Sequence, residues 1–559
     1  MIRAVAREAS VCALFVLLAI AMTWPLAPNL SAAIAEPDDP FLSAWTLDWD
    51  YHATTHRLPL FEANIFYPAH LSLAFSENLY GIALLFFPLF AAGVAPLTIH
   101  NLAILLGFAA CGYAMYALAR YATGRTGAAI LAGIAYAFTG FRFHHLPHLH
   151  IVWSMWLPLT LLALLALAGR ATPLRAVAFA AAFAMNGLTA LHWLAFGSVA
   201  AGATALVVGR TRRFWICFAA ALAAAALILL PFTLPYVRVA AMYGMTRSYA
   251  ETLPNAAIDW RDWLQPSYLS KVYGRWASAE AIGHERTLFP GIVTYALAVL
   301  GLWSAAANSP ASEEQRHGRR APFVAIIWIV LGVLGARGLH GFFHTFLYEH
   351  FAMFRGIRMP VRWAMVAYAG LALLAACGTA FLVRNRGLLA RAAIVAALAA
   401  AMLIELRVAP LRWYIVPLLP RPIYSWIASL PLRGGVLELP MTQARAYDYL
   451  WRATIHHKPL INGTSGYAPP PYEHLEALAN GNPIAGEFLD RLEAIPCSLV
   501  VVHAGVLREA NPPVRAWLAQ GLANGRLTFV RRFDAGARAT TSSPSRASSH
   551  QPPRGALPR

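Results

Sequence analysis

Two adjacent carboxylates, Asp38 and Asp39, begin a polar segment that follows the first apolar run of the sequence. A carboxylate in this position can act as a general base, or it can hold a metal ion bound to a phosphate or diphosphate. Because Pro40 follows, Asp39 could instead cap a helix that runs through His56. Both roles stay open for Asp39, whereas capping does not explain Asp38.

The helix proposed after Asp39 carries polar side chains at every fourth position: Asp48, His52 and His56. Residues with this spacing share one helix face. Such a face could bind a metal ion, although a solvated helix face is the simpler interpretation.

A second polar group lies within residues 141–150, where one arginine accompanies four histidines: Arg142, His144, His145, His148 and His150. Histidine is a metal ligand and a base that titrates near neutral pH, and arginine binds phosphate oxygens. We expect these side chains to face the same cavity as Asp38. The alternative is a polar cap at the membrane surface that has no chemical role.

Basic residues also occur in two later segments, one with Arg286 beside Glu285 and one with Arg358. Cations on the outer face of a membrane protein favour an anionic ligand. Arg286 and Arg358 are therefore candidate phosphate-binding residues. Equally, Glu285 and Arg286 could form an ion pair where a helix begins, and Arg358 could bind lipid headgroups.

The composition is that of a membrane protein, with 59% hydrophobic residues, 13% charged residues and a mean hydropathy of +0.53. A soluble domain carries about 25% charged residues, and the apolar stretches here reach the length of a membrane span, about 20 residues. The net charge of +18 comes from arginines in the short links between these stretches, as the positive-inside rule predicts. With no nucleic-acid-binding motif, the sequence argues against a nucleic-acid partner.

The pattern predicts an α-helical polytopic membrane protein with about eleven transmembrane helices in residues 1–408 and a cytoplasmic N-terminus. The short apolar segment 82–94 contains Pro88, and counting it as a span would put later arginine-rich links outside. We therefore predict that it only dips into the membrane. Loops 29–97 and 236–288 then lie on the outer face.

The region after the last predicted span differs from the membrane-spanning part in its pattern of apolar and polar residues. Strand-like runs alternate with helical stretches over residues 409–534, which predicts a small extracytoplasmic α/β domain. Ser, Pro, Arg and Gly dominate residues 535–559, which we expect to be a disordered tail. No cysteine pair has the spacing of metal ligands, so neither a zinc site nor a disulfide framework is expected.

This layout resembles the GT-C superfamily of polyprenyl-phosphate-dependent glycosyltransferases. The resemblance extends over the whole chain, but its motifs are few: Pro37-Asp38-Asp39, Glu285-Arg286-x-x-Phe289-Pro290-Gly291 and Arg358-Met359-Pro360-x-Arg362. It implies that a sugar passes from a polyprenyl-phosphate donor, with inversion, to a glycan or lipid acceptor. This would occur at the periplasmic face of a bacterial inner membrane.

The resemblance also implies roles for individual residues. An acid of the first outer loop serves as the catalytic base in that family, or binds a metal ion, which points to Asp38 or Asp39. A nearby arginine would neutralise the leaving phosphate. The candidates for that cation are Arg142, Arg286 and Arg358, and the site would also be lined by Asp48, His52, His144, His145, His148, His150 and Glu285. Because histidines replace the acids that the family often has in its second outer turn, a divalent metal ion is left open as a cofactor.

Two functions of another class remain as alternatives: a transporter of lipid-linked sugars, and a catalytically inactive membrane scaffold for envelope polysaccharide assembly. A transporter needs charged groups within its helices, and the helix centres here are nearly free of Asp, Glu and Lys. The histidines in place of acids are the feature that favours an inactive scaffold.

Overall fold

The computed structural model describes residues 2–283, 285–307, 316–416, 419–505 and 512–534 of the 559-residue chain. The predicted disordered tail, residues 535–559, lies outside the described residues. Helices make up most of the described chain, and we number them in order. The first are α1 (Ile2–Met22), α2 (Asp39–Thr55), α3 (Tyr80–Ala91), α4 (Pro96–Thr123), α5 (Thr126–Ala137), α6 (Gly140–His144), α7 (Leu149–Val152), α8 (Trp156–Gly169), α9 (Pro173–Thr189), α10 (Leu191–Val208) and α11 (Arg212–Tyr243).

The remaining helices include the short ones of the later loops. They are α12 (Tyr249–Thr252), α13 (Ala279–Gly283), α14 (Ile292–Ala307), α15 (Arg316–Ala336), α16 (Phe342–His350), α17 (Ala364–Leu382), α18 (Leu388–Glu405), α19 (Arg421–Ser429), α20 (Gln443–His456), α21 (Pro470–Ala479), α22 (Gly486–Ala494) and α23 (Pro512–Ala523). The strands are β1 (Ala33–Ile34), β2 (Tyr414–Ile415), β3 (Gly435–Leu439) and β4 (Cys497–Val502).

Within the described residues, eight helical segments are long and apolar enough to cross a membrane. They are Arg3–Met22, Pro96–Thr123, Thr126–His144, Leu149–Gly169, Leu191–Val208, Arg212–Tyr243, Pro360–Leu382 and Leu388–Glu405. The chain is therefore a multi-pass membrane protein. The other three predicted spans coincide with helices α9, α14 and α15, which are shorter or less apolar, so the count of about eleven stays a prediction.

Helix α17 lies at the centre of the helical bundle, packed mainly against α14, α15 and α5, and it is buried along most of its length. Helices α11 and α18 lie at its periphery. They expose large apolar side chains such as Leu227 and Leu389, which a lipid environment accommodates without the cost that water would impose. The twelve residues of α3 extend only about 18 Å, less than the thickness of a bilayer core, about 30 Å.

The first outer loop and the C-terminal region share one hydrophobic core. Trp45, Trp49 and Phe66 of the loop are buried together with Val436 and Leu437 of β3. Strand β1 pairs antiparallel with β2, and β3 pairs parallel with β4. The described parts of the first outer loop and of the C-terminal region that share this core form one outer unit, and the boundaries of the predicted C-terminal domain stay a prediction.

Candidate functional site

Charged and polar side chains from distant parts of the chain meet at one end of the helical bundle. They come from the start of α2, the turn between α6 and α8, the segment before α14, the 3-10 turn Pro360–Trp363 before α17, and helix α20. Each of these positions is the end of a helix or a turn, where backbone geometry can direct a polar side chain away from the apolar packing.

Asp39 is the first residue of α2, and its carboxylate is held by two other segments of the chain. His148 Nε2 lies 3.1 Å from Asp39 Oδ2, and the Tyr447 hydroxyl donates a hydrogen bond of 3.3 Å to Asp39 Oδ1. Asp38 occupies the N-cap position, but its side chain makes no capping hydrogen bond. Helix capping therefore explains neither acid.

The two neighbouring acids differ in their electrostatic environment. Burial alone would raise the pKa of Asp39, but the hydrogen bond from His148, helped by Tyr447 and Arg362, holds the pKa below its ordinary value. Asp38 is exposed, and partial desolvation together with the charge of Asp39 raises its pKa. Asp39 is thus the acid that is both oriented and kept ionised.

A buried ion pair lies beside Asp39. Arg362 binds Glu285 with two hydrogen bonds, from Nε (3.1 Å) and from Nη2 (2.9 Å), and only 11% and 12% of the two side chains are exposed. His145 Nε2 lies 2.7 Å from the same carboxylate. Burial would raise the pKa of Glu285, but Arg362 and then His145 hold it well below its ordinary value, so Glu285 remains ionised.

The polar network continues into the bundle from Arg362. Its Nη1 lies 3.2 Å from His150 Nε2, and the His150 ring contacts the ring of His192 at 5.1 Å. His192 Nδ1 lies 2.8 Å from Glu77, which also accepts a hydrogen bond from the backbone of Leu191.

Two of the three predicted phosphate-binding arginines have other partners. Arg142 is fully buried. It donates hydrogen bonds to the carbonyls of Tyr136, Ile151 and Val152 and to Ser154 Oγ. These bonds stabilise the histidine-containing turn. Arg286 does not pair with its neighbour in sequence but lies 2.6 Å from Glu280.

Arg358 is exposed, and no partner contacts its guanidinium within the described part of the chain. Burial raises the pKa of Tyr467, and the nearby charges of Arg247 and Arg358 oppose that rise. Arg358 is thus close enough to Tyr467 for its charge to act on the hydroxyl, and it lies four residues before Arg362 in sequence.

The predicted solvated face of α2 packs against the C-terminal region instead. His457 Nε2 lies 2.8 Å from Asp48 Oδ2, and the His52 and His457 rings stack with centroids 3.8 Å apart. Burial, with the charges of His457 and His56, lowers the pKa of His52 to about 4. These side chains join α2 to α20 and do not line the cluster around Asp39.

His144 lies at the edge of the cluster, in edge-to-face contact with the Tyr268 ring at 5.5 Å. Among the residues that the structure describes, no group of three or more His, Cys, Asp or Glu side chains is arranged to hold a metal ion. His284, which precedes Glu285, is not one of those residues.

The sequence did not single out several members of this network. Arg362 lies in the Arg-Met-Pro-x-Arg motif, and Tyr447 lies among the aromatic residues of the C-terminal region. Nothing in the sequence favoured either residue over its neighbours as a site residue. Glu77 and His192 are isolated in sequence. Only the intramembrane position of His192, at the start of α10, could have identified it as a candidate.

Asp50 of α2 allows a test of how a buried, unpaired carboxylate affects the stability of the outer unit. It is fully buried, and neither carboxylate oxygen has a hydrogen-bond partner among the described residues. Burial raises the pKa of Asp50 well above its ordinary value, so the folded state binds a proton that the unfolded state releases, and stability falls as pH rises above about 4. Asp50→Asn removes the group that titrates, so the variant is expected to gain stability relative to the wild type as pH rises, by more at pH 8 than at pH 5.

Thermal unfolding of the detergent-solubilised protein at both pH values would measure this effect. Asp48→Asn is the matched control on the same helix, and it is expected to show a smaller pH-dependent gain, because His457 opposes the rise that burial causes in the pKa of Asp48. Destabilisation by Asp50→Asn at both pH values would contradict the account of Asp50 as an unpaired buried acid.

Comparison with solved structures identifies the fold. The arabinofuranosyltransferase AftD from mycobacteria superposes with a TM-score of 0.55 at 17% identity, over 89% of this chain and 35% of that chain. The oligosaccharyltransferase AglB from Archaeoglobus fulgidus gives 0.42 at 15% identity, over 82% and 64%. ArnT from Cupriavidus metallidurans gives 0.35 at 13%, over 88% and 94%.

Of these three structures, AftD is the one with a TM-score above 0.5, and the similarity shows that this chain shares the fold of the matched part of that protein. The chain spans about a third of the length of that protein. No family model matches the sequence, and no curated protein sequence is similar to it.

Proposed function

We propose that this chain is a glycosyltransferase that moves a sugar from a polyprenyl-phosphate donor to a hydroxyl group of a glycan or lipid acceptor. The observation that carries this proposal is the Asp39 carboxylate, which is oriented by His148 and Tyr447 beside a buried Arg362–Glu285 pair. This arrangement lies at one end of a helical bundle whose fold matches that of an arabinofuranosyltransferase.

Asp39 acts as the general base. It removes the proton from the acceptor hydroxyl while that oxygen attacks the anomeric carbon of the donor sugar. The bond between the anomeric carbon and the phosphate oxygen breaks, and its electron pair leaves with the lipid phosphate. A single displacement of this kind inverts the anomeric configuration. Because His148, Tyr447 and Arg362 hold the pKa of Asp39 below its ordinary value, the carboxylate is ionised and able to accept a proton at neutral pH.

The departing phosphate gains negative charge, which a nearby cation stabilises. We assign this role to Arg358, which is exposed and has no partner in the described chain, with Arg362 behind it. Arg142 and Arg286 are less suited, because carbonyl groups and Glu280 already occupy their guanidinium groups. The polyprenyl chain would lie against the apolar helices, where peripheral side chains such as Leu227 are exposed.

The arginine-rich links between helices favour a bacterial-type inner membrane with the N-terminus in the cytoplasm. The Asp39 cluster then faces the periplasm, together with the outer unit. Nucleotide sugars are confined to the cytoplasm, so a lipid-linked donor suits a site on this face.

The test is a transfer assay with the purified full-length chain in liposomes, using donors that carry a radiolabelled hexose or pentose on a polyprenyl phosphate. Membrane extract supplies the acceptors, and nucleotide donors of the same sugars are the control. We expect label to move from one of the lipid donors only, with inversion of the anomeric carbon. Transfer directly from a nucleotide sugar, or no consumption of any donor, would overturn the proposal and favour the scaffold or transporter.

A further inference from the structure

Helices α2 and α20 lie side by side although about 400 residues separate them in sequence. Phe41 stacks on Trp451 with ring centroids 4.8 Å apart, and further along the two helices His457 contacts Asp48. Where α2 begins, the Tyr447 hydroxyl reaches Asp39. The contacts occur in the same order along both helices, so the helices run parallel, and Asp39 lies beside the second turn of α20.

Helix α20 is itself firmly held. Tyr449, Leu450 and Ala453 are buried in the core that the first outer loop shares with the C-terminal region, and Trp451 is buried against Phe41. The buried contacts of α20 therefore fix its position beside α2, so that a side chain on α20 can orient Asp39.

Tyr447 is the side chain in that position. It is half-buried, and its hydroxyl can donate one hydrogen, which goes to Asp39 Oδ1. His148 contacts the other oxygen of the same carboxylate. With one contact on each oxygen, rotation of the carboxylate about its side-chain bonds is restricted, and each oxygen keeps a lone-pair direction free for an acceptor proton.

We propose that Tyr447 is a positioning residue that aims the Asp39 carboxylate at the acceptor hydroxyl, so that the C-terminal region completes the active site. This rests on the glycosyltransferase function proposed above. Tyr447 is a positioning residue and not a catalytic one, because it acts through Asp39.

Tyr447→Phe removes only the hydroxyl and keeps the ring. Tyr449→Phe is the matched control two residues further along α20, since the Tyr449 hydroxyl donates to the carbonyl of Pro440 at 3.0 Å and does not touch Asp39. Size-exclusion chromatography in detergent checks that both variants fold.

We expect kcat of Tyr447→Phe to fall roughly 10- to 100-fold, the range for losing a hydrogen bond to a charged group, with KM for the lipid donor nearly unchanged. The acid limb of the pH profile should move to higher pH, because the hydrogen bond from Tyr447 is one of the contacts that lower the pKa of Asp39. Tyr449→Phe should retain the wild-type kcat and pH profile.

The possible failures are distinguishable. If the wild type transfers sugar and Asp39→Asn does not, but Tyr447→Phe keeps the wild-type kcat and acid limb, the positioning role is overturned and the proposed function stands. Equal losses in the two phenylalanine variants would show a packing effect and also overturn it. If the wild type transfers no sugar, the proposed function and the positioning role fail together.

Discussion

Replacing Asp39 with Asn is expected to lower the turnover number for sugar transfer roughly 100- to 10,000-fold, the usual range for removing a general base. The amide has nearly the same size, and its oxygen can still accept the hydrogen bond that Tyr447 now donates. It cannot take up the proton of the acceptor hydroxyl. The loss should therefore appear in kcat, with the variant expressed and folded like the wild type.

Asp38→Asn is the matched control, since it removes a carboxylate from the adjacent residue. Asp38 is exposed, and its side chain makes no capping bond, so its replacement should change kcat by no more than about twofold. A collapse of activity in Asp38→Asn with full activity in Asp39→Asn would move the base to Asp38. Undiminished transfer by the double variant would exclude a carboxylate base at the start of α2.

Replacing Glu285 with Gln should destabilise the protein by about 3–5 kcal/mol, the cost of removing one partner of a buried ion pair. Arg362 would keep its charge in a site where only 11% of its side chain is exposed, and Gln offers one acceptor oxygen in place of two. The thermal unfolding midpoint in detergent measures the loss. Transfer activity should fall as well, because Arg362 loses the carboxylate that holds its guanidinium in place beside Asp39.

Glu487→Gln tests the same change in an exposed pair. Glu487 is 47% exposed and contacts Arg491, which is 55% exposed, at 3.1 Å, and an exposed ion pair contributes about 0–1 kcal/mol. Its loss should leave the unfolding midpoint nearly unchanged. Similar midpoints for the two glutamine variants would contradict the conclusion that the Arg362–Glu285 pair is a buried, stabilising element of the site.

The sequence did not specify which charged residues pair with each other. Arg286 follows Glu285 directly, and a local ion pair was a reasonable alternative, yet Arg286 binds Glu280 and Glu285 binds Arg362, 77 residues away. Arg142 looked like a phosphate ligand because its charge lies among histidines. Its burial against the carbonyls of its own turn depends on how α4, α5 and α8 pack, which no local pattern specifies.

The same limit applied to the face of α2. The sequence predicted the helix correctly, from Asp39 to about His56, because an acid followed by proline favours a helix start. The partner of its polar face could not be read from helical spacing, since spacing specifies which residues share a face but not what covers it. The stacking of His52 on His457 follows from the fold of residues more than 400 positions away.

The sequence by itself determined that this is a membrane protein of many helices, since the length and apolarity of a membrane span are local properties. It also determined which residue types were available for chemistry, and the acids and histidines that it singled out include Asp39, His145, His148 and Glu285. Only the tertiary structure decided that Asp39 meets Tyr447 and that Glu285 meets Arg362. These contacts join distant segments, and their geometry depends on the packing of the whole helical bundle against the outer unit.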